Sequence, residues 1–352
     1  MKISTRVLAR LSVLVLALGV AGCGGQLRYL TQASVGQEEI NKRGIAISEI
    51  VEGNHLDKRT RELLAQVAGI KAFGEENGLR HTKNYERYVW LKGPAVVWVV
   101  SACHPLAFRP KTWTFPITGS ITYRGWFDKD EAKADVEELK KQGWDVDMRA
   151  SQAYSTLGWF DDPIVSTMLT TGDEAIGELA DVVLHETLHA TFYVPGQSTL
   201  NESVASFYGH TLAMKYLEAK YGPESRERKV FESGRANGEA RGARMKKAYT
   251  ELEELYKSTL SKEEKLAEKQ RITDELRRDI KLSRPVTNAT LIQYKTYGSG
   301  REEMAALFEL CGHDHKKMLA ALEHVREITK TARPHTDPGL LLKPLLGRNC
   351  AP

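Results

Sequence analysis

Two histidines and a glutamate occur together in the segment His185-Glu186-Thr187-Leu188-His189. On an α-helix, residues four apart lie one turn apart and about 40° round the axis, so both imidazoles project from one face. Zn²⁺ binds neutral imidazole nitrogens at about 2.0–2.1 Å, and this spacing supplies two of them. Glu186 is rotated by about 100° from His185, which favours a role as the base that accepts a proton from water.

The helix that carries these residues is predicted to be buried. Its other positions are apolar almost all round, namely Leu179, Ala180, Val182, Val183, Leu184, Leu188 and Ala190. A buried helix does not tolerate two histidines and a glutamate unless something pairs them. The alternative to a metal site is a pair of core histidines that bond to the backbone or to Glu186.

A third ligand is required, because a catalytic zinc site keeps three protein ligands and one open position. Glu202 is the best candidate, since a turn signal at residues 193–198 allows its helix to pack against the first. In the alternative, Thr199 and Glu202 form a capping box, and the carboxylate bonds only to the Thr199 amide. Asn201 and Ser206 are candidates to orient the site. We therefore expect one Zn²⁺ per chain.

The arrangement of H-E-x-x-H followed by Asn-Glu on a second helix resembles the gluzincin metallopeptidases. Together with Trp113–Pro116, Tyr123–Phe127 and Ala153–Pro163, the segment His185–Glu202 is similar to a bacterial family of putative zinc aminopeptidases, over roughly residues 27–330. The resemblance implies zinc-dependent hydrolysis of peptide substrates, with aminopeptidase specificity. The G-A-M-E-N motif of other aminopeptidases is absent from the sequence, so exo- and endopeptidase activity both stay open.

The same resemblance implies roles for residues outside this segment. Ser155–Phe160 would be an extended edge to which a peptide adds as a strand. Asp161 or Asp162 would then bind a free α-amine, the alternative being two acids in an ordinary loop. Tyr123–Gly125 would line the cleft, the alternative being a turn before a helix. Candidates for contacts with the substrate or its oxyanion are Asn288, Tyr294 and Tyr297, each with a structural role as the alternative.

The amino-terminal residues predict a bacterial lipoprotein signal. A basic start and an apolar run over residues 11–20 precede Val20-Ala-Gly-Cys23, which resembles a lipobox. The run is shorter than the roughly 20 residues that a membrane-spanning helix needs. We expect cleavage before Cys23, acylation of Cys23, and a lipid anchor that holds the protein on a membrane of the bacterial cell envelope, facing the periplasm. The alternative is an ordinary signal peptide with an incidental cysteine.

The remaining cysteines are Cys103, Cys311 and Cys350. In an oxidising compartment one disulfide is possible, and a Cys311–Cys350 bridge would tie the tail to the last helix. The third cysteine would then be free and buried. The sequence does not settle the pairing.

The predicted fold class is α+β and mostly helical, a gluzincin-like metallopeptidase with a small sheet on the amino-terminal side of the H-E-x-x-H helix. A signal over residues 1–22 precedes one unit, 23–352. That unit comprises an α+β part (27–175), the zinc-site helices (176–221), and a helical part with a tail (222–352). The mixed charges of residues 225–282 predict a solvated helical hairpin. β-Branched and aromatic runs predict the strands, which are Tyr88–Leu91, Ala95–Val100, Trp113–Pro116, Ser120–Tyr123, Val146–Arg149 and Ser151–Phe160.

Charge and composition exclude other classes of function. The 352 residues carry a formal charge of +4, part of it in the predicted signal. Neither a basic stripe nor a nucleotide-binding glycine motif is present, so we expect no nucleic-acid partner. The competing hypotheses are an inactive peptidase-fold lipoprotein that acts as a binding or scaffold module, and a helical adaptor built on residues 225–282.

Overall fold

A computed structural model of the chain describes residues 24–115, 119–153, 156, 161–292, 300–348 and 350. The fold is α+β, mostly helical with small sheets, as predicted. The amino-terminal helices and strands are α1 (Gly24–Arg43), β1 (Ile45–Ala46), α2 (Ile47–Glu52), α3 (Lys58–Leu64), α4 (Val67–Glu76), β2 (Arg87–Val89) and β3 (Val97–Cys103). Next come β4 (Trp113–Phe115), β5 (Gly119–Ile121), β6 (Tyr123–Trp126), α5 (Lys129–Lys141), β7 (Asp145–Ser151) and β8 (Ile164–Val165).

Helices make up the second half. They are α6 (Ala175–Thr191), α7 (Ser198–Tyr221), α8 (Arg226–Lys257), α9 (Lys262–Asp279), α10 (Arg301–Leu310), α11 (His315–Thr329) and α12 (Pro338–Leu346). The region described from the sequence as a tail contains α12. Asp337 caps this helix, Pro338 occupies its first turn, and Leu341, Leu342 and Leu345 are buried.

The strands within the described residues form three small sheets, in the orders β1-β2-β8, β6-β3-β7 and β4-β5. The predicted strand Ser120–Tyr123 is split between β5 and β6, with a bend at Thr122. In the sheet β6-β3-β7, Val99 lies opposite Gly125 on one side and Arg149 on the other. Ser101 lies in the same way between Tyr123 and Asp147.

Helices α6 and α7 pack side by side at the centre of the main hydrophobic core. Leu179, Leu184, Leu188, Leu200 and Leu212 are fully buried there. Gly209 permits the close approach of the two helices. A Cβ atom at this position would lie 2.5 Å from Oδ1 of Asp181 and 2.9 Å from Cβ of His185. Both distances are shorter than real Cβ contacts allow, so only glycine fits without a shift of the helices.

Residues 225–282 form the predicted helical hairpin, α8 and α9. Ser225 caps α8, and Ser261 forms a capping box with Glu264 at the start of α9. The hairpin has an apolar cluster of its own, which includes Met245, Leu252, Leu255, Ile272 and Leu276. An ion pair between Lys269 and Asp145 (2.6 Å) fixes it to strand β7.

The structure contains the disulfide that the sequence analysis named as possible. Cys311, which follows α10, forms a disulfide with Cys350, and Cys103 is free and buried. Burial raises the pKa of the Cys103 thiol to about 12, so this side chain is a structural one. None of the helices within the described ranges is both long enough and apolar enough to cross a membrane.

Candidate metal centre

The loop between α6 and α7 positions the residues that follow it. Asn201, in the first turn of α7, accepts a hydrogen bond from the Val194 amide (2.8 Å) and donates one to the Val194 carbonyl (2.9 Å). Gln197 donates to the Arg333 carbonyl (2.8 Å) and accepts from the Thr336 amide (3.1 Å). The start of α7 is thus held both to the preceding loop and to the carboxy-terminal region.

His185, His189 and Glu202 converge on one point between the two helices. Nε2 of His185 lies 3.6 Å from Oε2 of Glu202, and Nε2 of His189 lies 3.8 Å from Oε1. One possible ligand atom from each residue lies within 4.8 Å of the other two. The capping-box alternative for Glu202 is wrong, because α7 begins at Ser198, two residues too early for Thr199 to be the N-cap, and the carboxylate faces the histidines.

The three side chains are largely buried, so their charges act more strongly on one another than they would in water. Burial alone would raise the pKa of Glu202, but His189, His185 and Arg149 lower it to about 2. Burial lowers the pKa of His189 to about 4. Burial opposes the charged form of His185 as well, yet Glu202 and Glu186 raise the pKa of this imidazole. The groups around Glu202 therefore favour the ionised form of its carboxylate.

These properties fit a metal ion. Two imidazoles and one carboxylate form the donor set of known catalytic zinc sites. In the part of the chain that the structure describes, the buried Nδ1 atom of His189 has no hydrogen-bond partner. The nitrogen that faces Glu202 is Nε2, and a metal bound there would leave Nδ1 in equal need of a partner, so this atom does not separate the two alternatives. The donor set and its convergence therefore favour a metal site over the core-histidine alternative.

Two further side chains, Tyr123 and Tyr193, lie near the centre. The hydroxyl of Tyr123, on β6, donates a hydrogen bond to Oε1 of Glu202 over 3.4 Å, as expected for a residue that lines the cleft. Burial and the charge of Glu202 raise the pKa of Tyr193 to about 12. Arg124, the next residue along β6, points to the opposite face of the sheet and pairs with Asp135.

Other predicted site residues are engaged elsewhere in the fold. Asp162 is buried, and its carboxylate accepts hydrogen bonds from the Thr156 amide (2.7 Å) and from Gln37 (3.3 Å). Burial raises its pKa to about 6. Its neighbour Asp161 is exposed. The contacts of Asp162 are therefore those of a structural carboxylate, and a role in binding an α-amine stays a prediction.

Asn288 is fully buried between the hairpin and the sheet. Its amide donates to the His104 carbonyl (2.9 Å), and its Oδ1 accepts from the hydroxyl of Tyr256 (2.7 Å). Its backbone amide donates to Asp145 (2.7 Å). These contacts favour the structural alternative for Asn288. The other predicted positions, which are Cys23, Tyr294, Tyr297 and the segment Ser155–Phe160 apart from Thr156, lie outside the described residues.

The sequence prediction missed Gly209, Asp181 and Arg149. Asp181 lies one turn before His185 on α6, and Gly209 lies two turns after Glu202 on α7, so helical spacing alone contains a signal for both. Arg149 is different, because only the pairing of β7 with β3 determines which face of the sheet it occupies.

A comparison with models of protein families finds a match over most of the chain. The model of a family described as putative aminopeptidase matches residues 28–336. No curated protein and no solved structure matches the chain.

Proposed function

Since the chain belongs to the putative aminopeptidase family, we propose that it is a zinc-dependent peptidase that removes residues from the amino terminus of peptides. The observation that carries this proposal is the convergence of His185, His189 and Glu202 within 4.8 Å. These three residues would hold one Zn²⁺, in a gluzincin-like arrangement of two adjacent helices. A zinc ion at such a site supplies Lewis-acid chemistry, because it polarises a carbonyl group and makes water acidic near neutral pH.

The chain's own residues supply the proton transfer. Glu186 lies next to His185 on α6 and is not part of the three-residue cluster. We assign it as the base that accepts a proton from water and then donates that proton to the leaving amine. A well-placed general base contributes about 10²–10⁴-fold to a rate.

The experiment compares the full-length protein in detergent with two variants. Zinc-loaded wild-type protein should hydrolyse peptides with a free amino terminus, and a chelator should abolish the activity. Glu186→Gln should keep zinc and lose at least about 100-fold in kcat. Glu178→Gln, which changes an exposed acid on the same helix, should behave as wild type. Chelator-resistant hydrolysis, or full activity in Glu186→Gln, would overturn the proposal.

We also propose that the protein is anchored through an acylated Cys23 to a membrane of the cell envelope and faces the periplasm. The Cys311–Cys350 disulfide supports this location, since disulfides persist in oxidising compartments. Cys23→Ser should release the protein from the membrane fraction. Membrane attachment that survives this change would exclude the lipid anchor.

A further inference from the structure

Residues 120–123 lie along the first turn of α7 and contact it twice. The carbonyl of Ser120, on β5, accepts a hydrogen bond from the hydroxyl of Ser198 (3.4 Å). The hydroxyl of Tyr123, on β6, donates one to Oε1 of Glu202 (3.4 Å). Ser198 and Glu202 are four residues apart, so they lie one turn apart on the same side of the helix. The position of residues 120–123 along α7 therefore decides where the hydroxyl of Tyr123 meets the candidate ligand.

His335, in the segment between α11 and α12, contacts the same region. Its ring atom Nε2 lies 3.2 Å from Oγ of Ser120, and the two groups share a hydrogen bond in which either can donate. The backbone amide of His335 donates to the carbonyl of Gly196 (3.0 Å), in the loop that precedes α7. One residue thus contacts both residues 120–123 and the loop before the helix.

The strand β5 and this loop also meet directly. A Cβ atom at Gly119 would lie 2.8 Å from the backbone nitrogen of Gly196, and the φ angle of Gly119 is +71°. Both observations require glycine at position 119. Gln197, the next residue of the loop, bonds to the backbone of residues 333–336. The strand, the loop and the segment that contains His335 therefore form one contact region next to the start of α7.

Two properties of His335 lower the stability of the folded chain. Its φ angle is +57°, in the left-handed region that residues with a side chain rarely adopt. Its ring atom Nδ1 is buried and has no hydrogen-bond partner among the described residues, which costs free energy as well. Backbone strain of this kind persists where the surrounding structure fixes it, and it is frequent at functional sites. The conformation of His335 is thus set by its contacts with Ser120 and Gly196.

We propose that His335 is a positioning residue of the metal centre. By holding the loop before α7 against residues 120–123, it orients the carboxylate of Glu202 through the hydroxyl of Tyr123. Hydrogen bonds to a metal ligand fix its orientation and thereby raise the metal affinity. This inference rests on the proposed function, because it concerns the same centre. It extends the support of that centre to the carboxy-terminal region of the chain.

The first test measures the zinc affinity of the full-length protein by competition with a chromophoric chelator. His335→Asn removes the ring and keeps a residue that tolerates a left-handed backbone, and Ser120→Ala removes the partner hydroxyl. Each change should weaken zinc binding by about 10-fold, whereas Ser120→Thr, which keeps a hydroxyl, should bind zinc as wild type does. The matched control is His313→Asn. His313 has a φ angle of +58°, and its exposed ring bonds to Glu309, so this change should leave the affinity unaltered.

The second test is a double-mutant cycle with Tyr123→Phe. Because His335 acts through the bond between Tyr123 and Glu202, His335→Asn should weaken zinc binding about 10-fold in wild-type protein but less than about 2-fold in Tyr123→Phe protein. A purely structural role of His335 would instead lower the thermal stability and leave the zinc affinity of the folded protein unchanged. If His335→Asn does not fold, Ser120→Ala replaces it in the cycle.

Unchanged zinc affinity in the folded variant would overturn the assignment, and so would an equal loss of affinity with and without the Tyr123 hydroxyl. A failure of the proposed function has a different signature. Protein that binds zinc but hydrolyses no peptide would refute the peptidase and leave the positioning role of His335 intact. Wild-type protein that binds no zinc would refute both.

Discussion

The hydroxyl of Tyr123 lies 3.4 Å from Oε1 of Glu202 and joins a strand of the small sheet to the helix that carries the third candidate ligand. The other carboxylate oxygen, Oε2, faces Nε2 of His185 at 3.6 Å. Hydrogen bonds of this kind fix the orientation of a ligand, and their loss typically weakens metal binding by about 10–100-fold. The sheet therefore contributes a contact to the candidate metal centre.

The first prediction concerns Tyr123→Phe, which removes this hydroxyl and leaves the ring. Its zinc affinity should fall by about 10-fold or more, because the carboxylate of Glu202 loses its outer hydrogen bond. Competition with a chromophoric chelator measures the affinity. The control is Tyr221→Phe, at the exposed end of α7, the helix that carries Glu202. It should bind zinc as wild type does. An unchanged affinity in Tyr123→Phe would show that the bond does not matter for the metal.

The second prediction concerns the close contact of the two zinc-site helices. Gly209→Ala would place a methyl group 2.9 Å from the carbonyl oxygen of Asp181 and 2.9 Å from Cβ of His185. A side-chain rotation does not relieve either contact, so the helices must separate. The cost should be about 1–3 kcal/mol in the free energy of unfolding, with weaker zinc binding because Glu202 moves away from His185. Urea unfolding and the same chelator competition measure the two effects.

The matched control is Gly234→Ala in α8, where no atom lies within 4 Å of the added Cβ. Alanine is the better helix former by about 0.5–1 kcal/mol, so this variant should be as stable as wild type or slightly more so. A tolerated Gly209→Ala with normal zinc affinity would contradict the account of the helix contact.

The third prediction concerns pH. The pKa of Asp162 is raised by burial to about 6 from an ordinary value of 3.8. A raised pKa means that the folded protein binds a proton more tightly than the unfolded chain. The contribution of this group to stability is therefore present below about pH 4 and is lost as the pH rises through 6. The loss corresponds to roughly 2–3 kcal/mol.

Asp162→Asn removes this titration. Between pH 4 and pH 7, the wild-type protein should lose roughly 2–3 kcal/mol of unfolding free energy relative to the variant. Urea titrations at several pH values measure it. If the unfolding free energies of the two proteins depended on pH in the same way, the pKa of Asp162 would not be raised in the folded protein.

The local sequence predicted the cluster of three candidate ligands because its residues lie on two consecutive helices. The spacing of His185 and His189 depends only on helical geometry, and the turn signal before Glu202 brings the second helix back. The capping-box alternative for Glu202 also rested on a local sequence pattern. The start of α7 at Ser198 rules it out. Helix α12 was not predicted from the sequence, although proline in the first turn, here Pro338, is a known signal for the start of a helix.

Contacts between distant segments were beyond the reach of such patterns. Asn288 is held by His104 and Tyr256, which lie far away in the sequence. The side of the sheet on which Arg149 lies depends on the register between β3 and β7. Tyr123 was expected to line the cleft, but its bond to Glu202 follows only from the packing of the sheet on α7.

The most direct test of the central claim is the zinc content of the purified protein and of two variants. After dialysis against trace zinc, wild-type protein should contain one zinc ion per chain. Glu202→Ala should lose most of it, because only the two histidines would remain as ligands. Glu218→Ala, which changes an exposed acid on the same helix, should keep full occupancy. Wild-type protein without zinc, or full occupancy in Glu202→Ala, would contradict a metal centre formed by His185, His189 and Glu202.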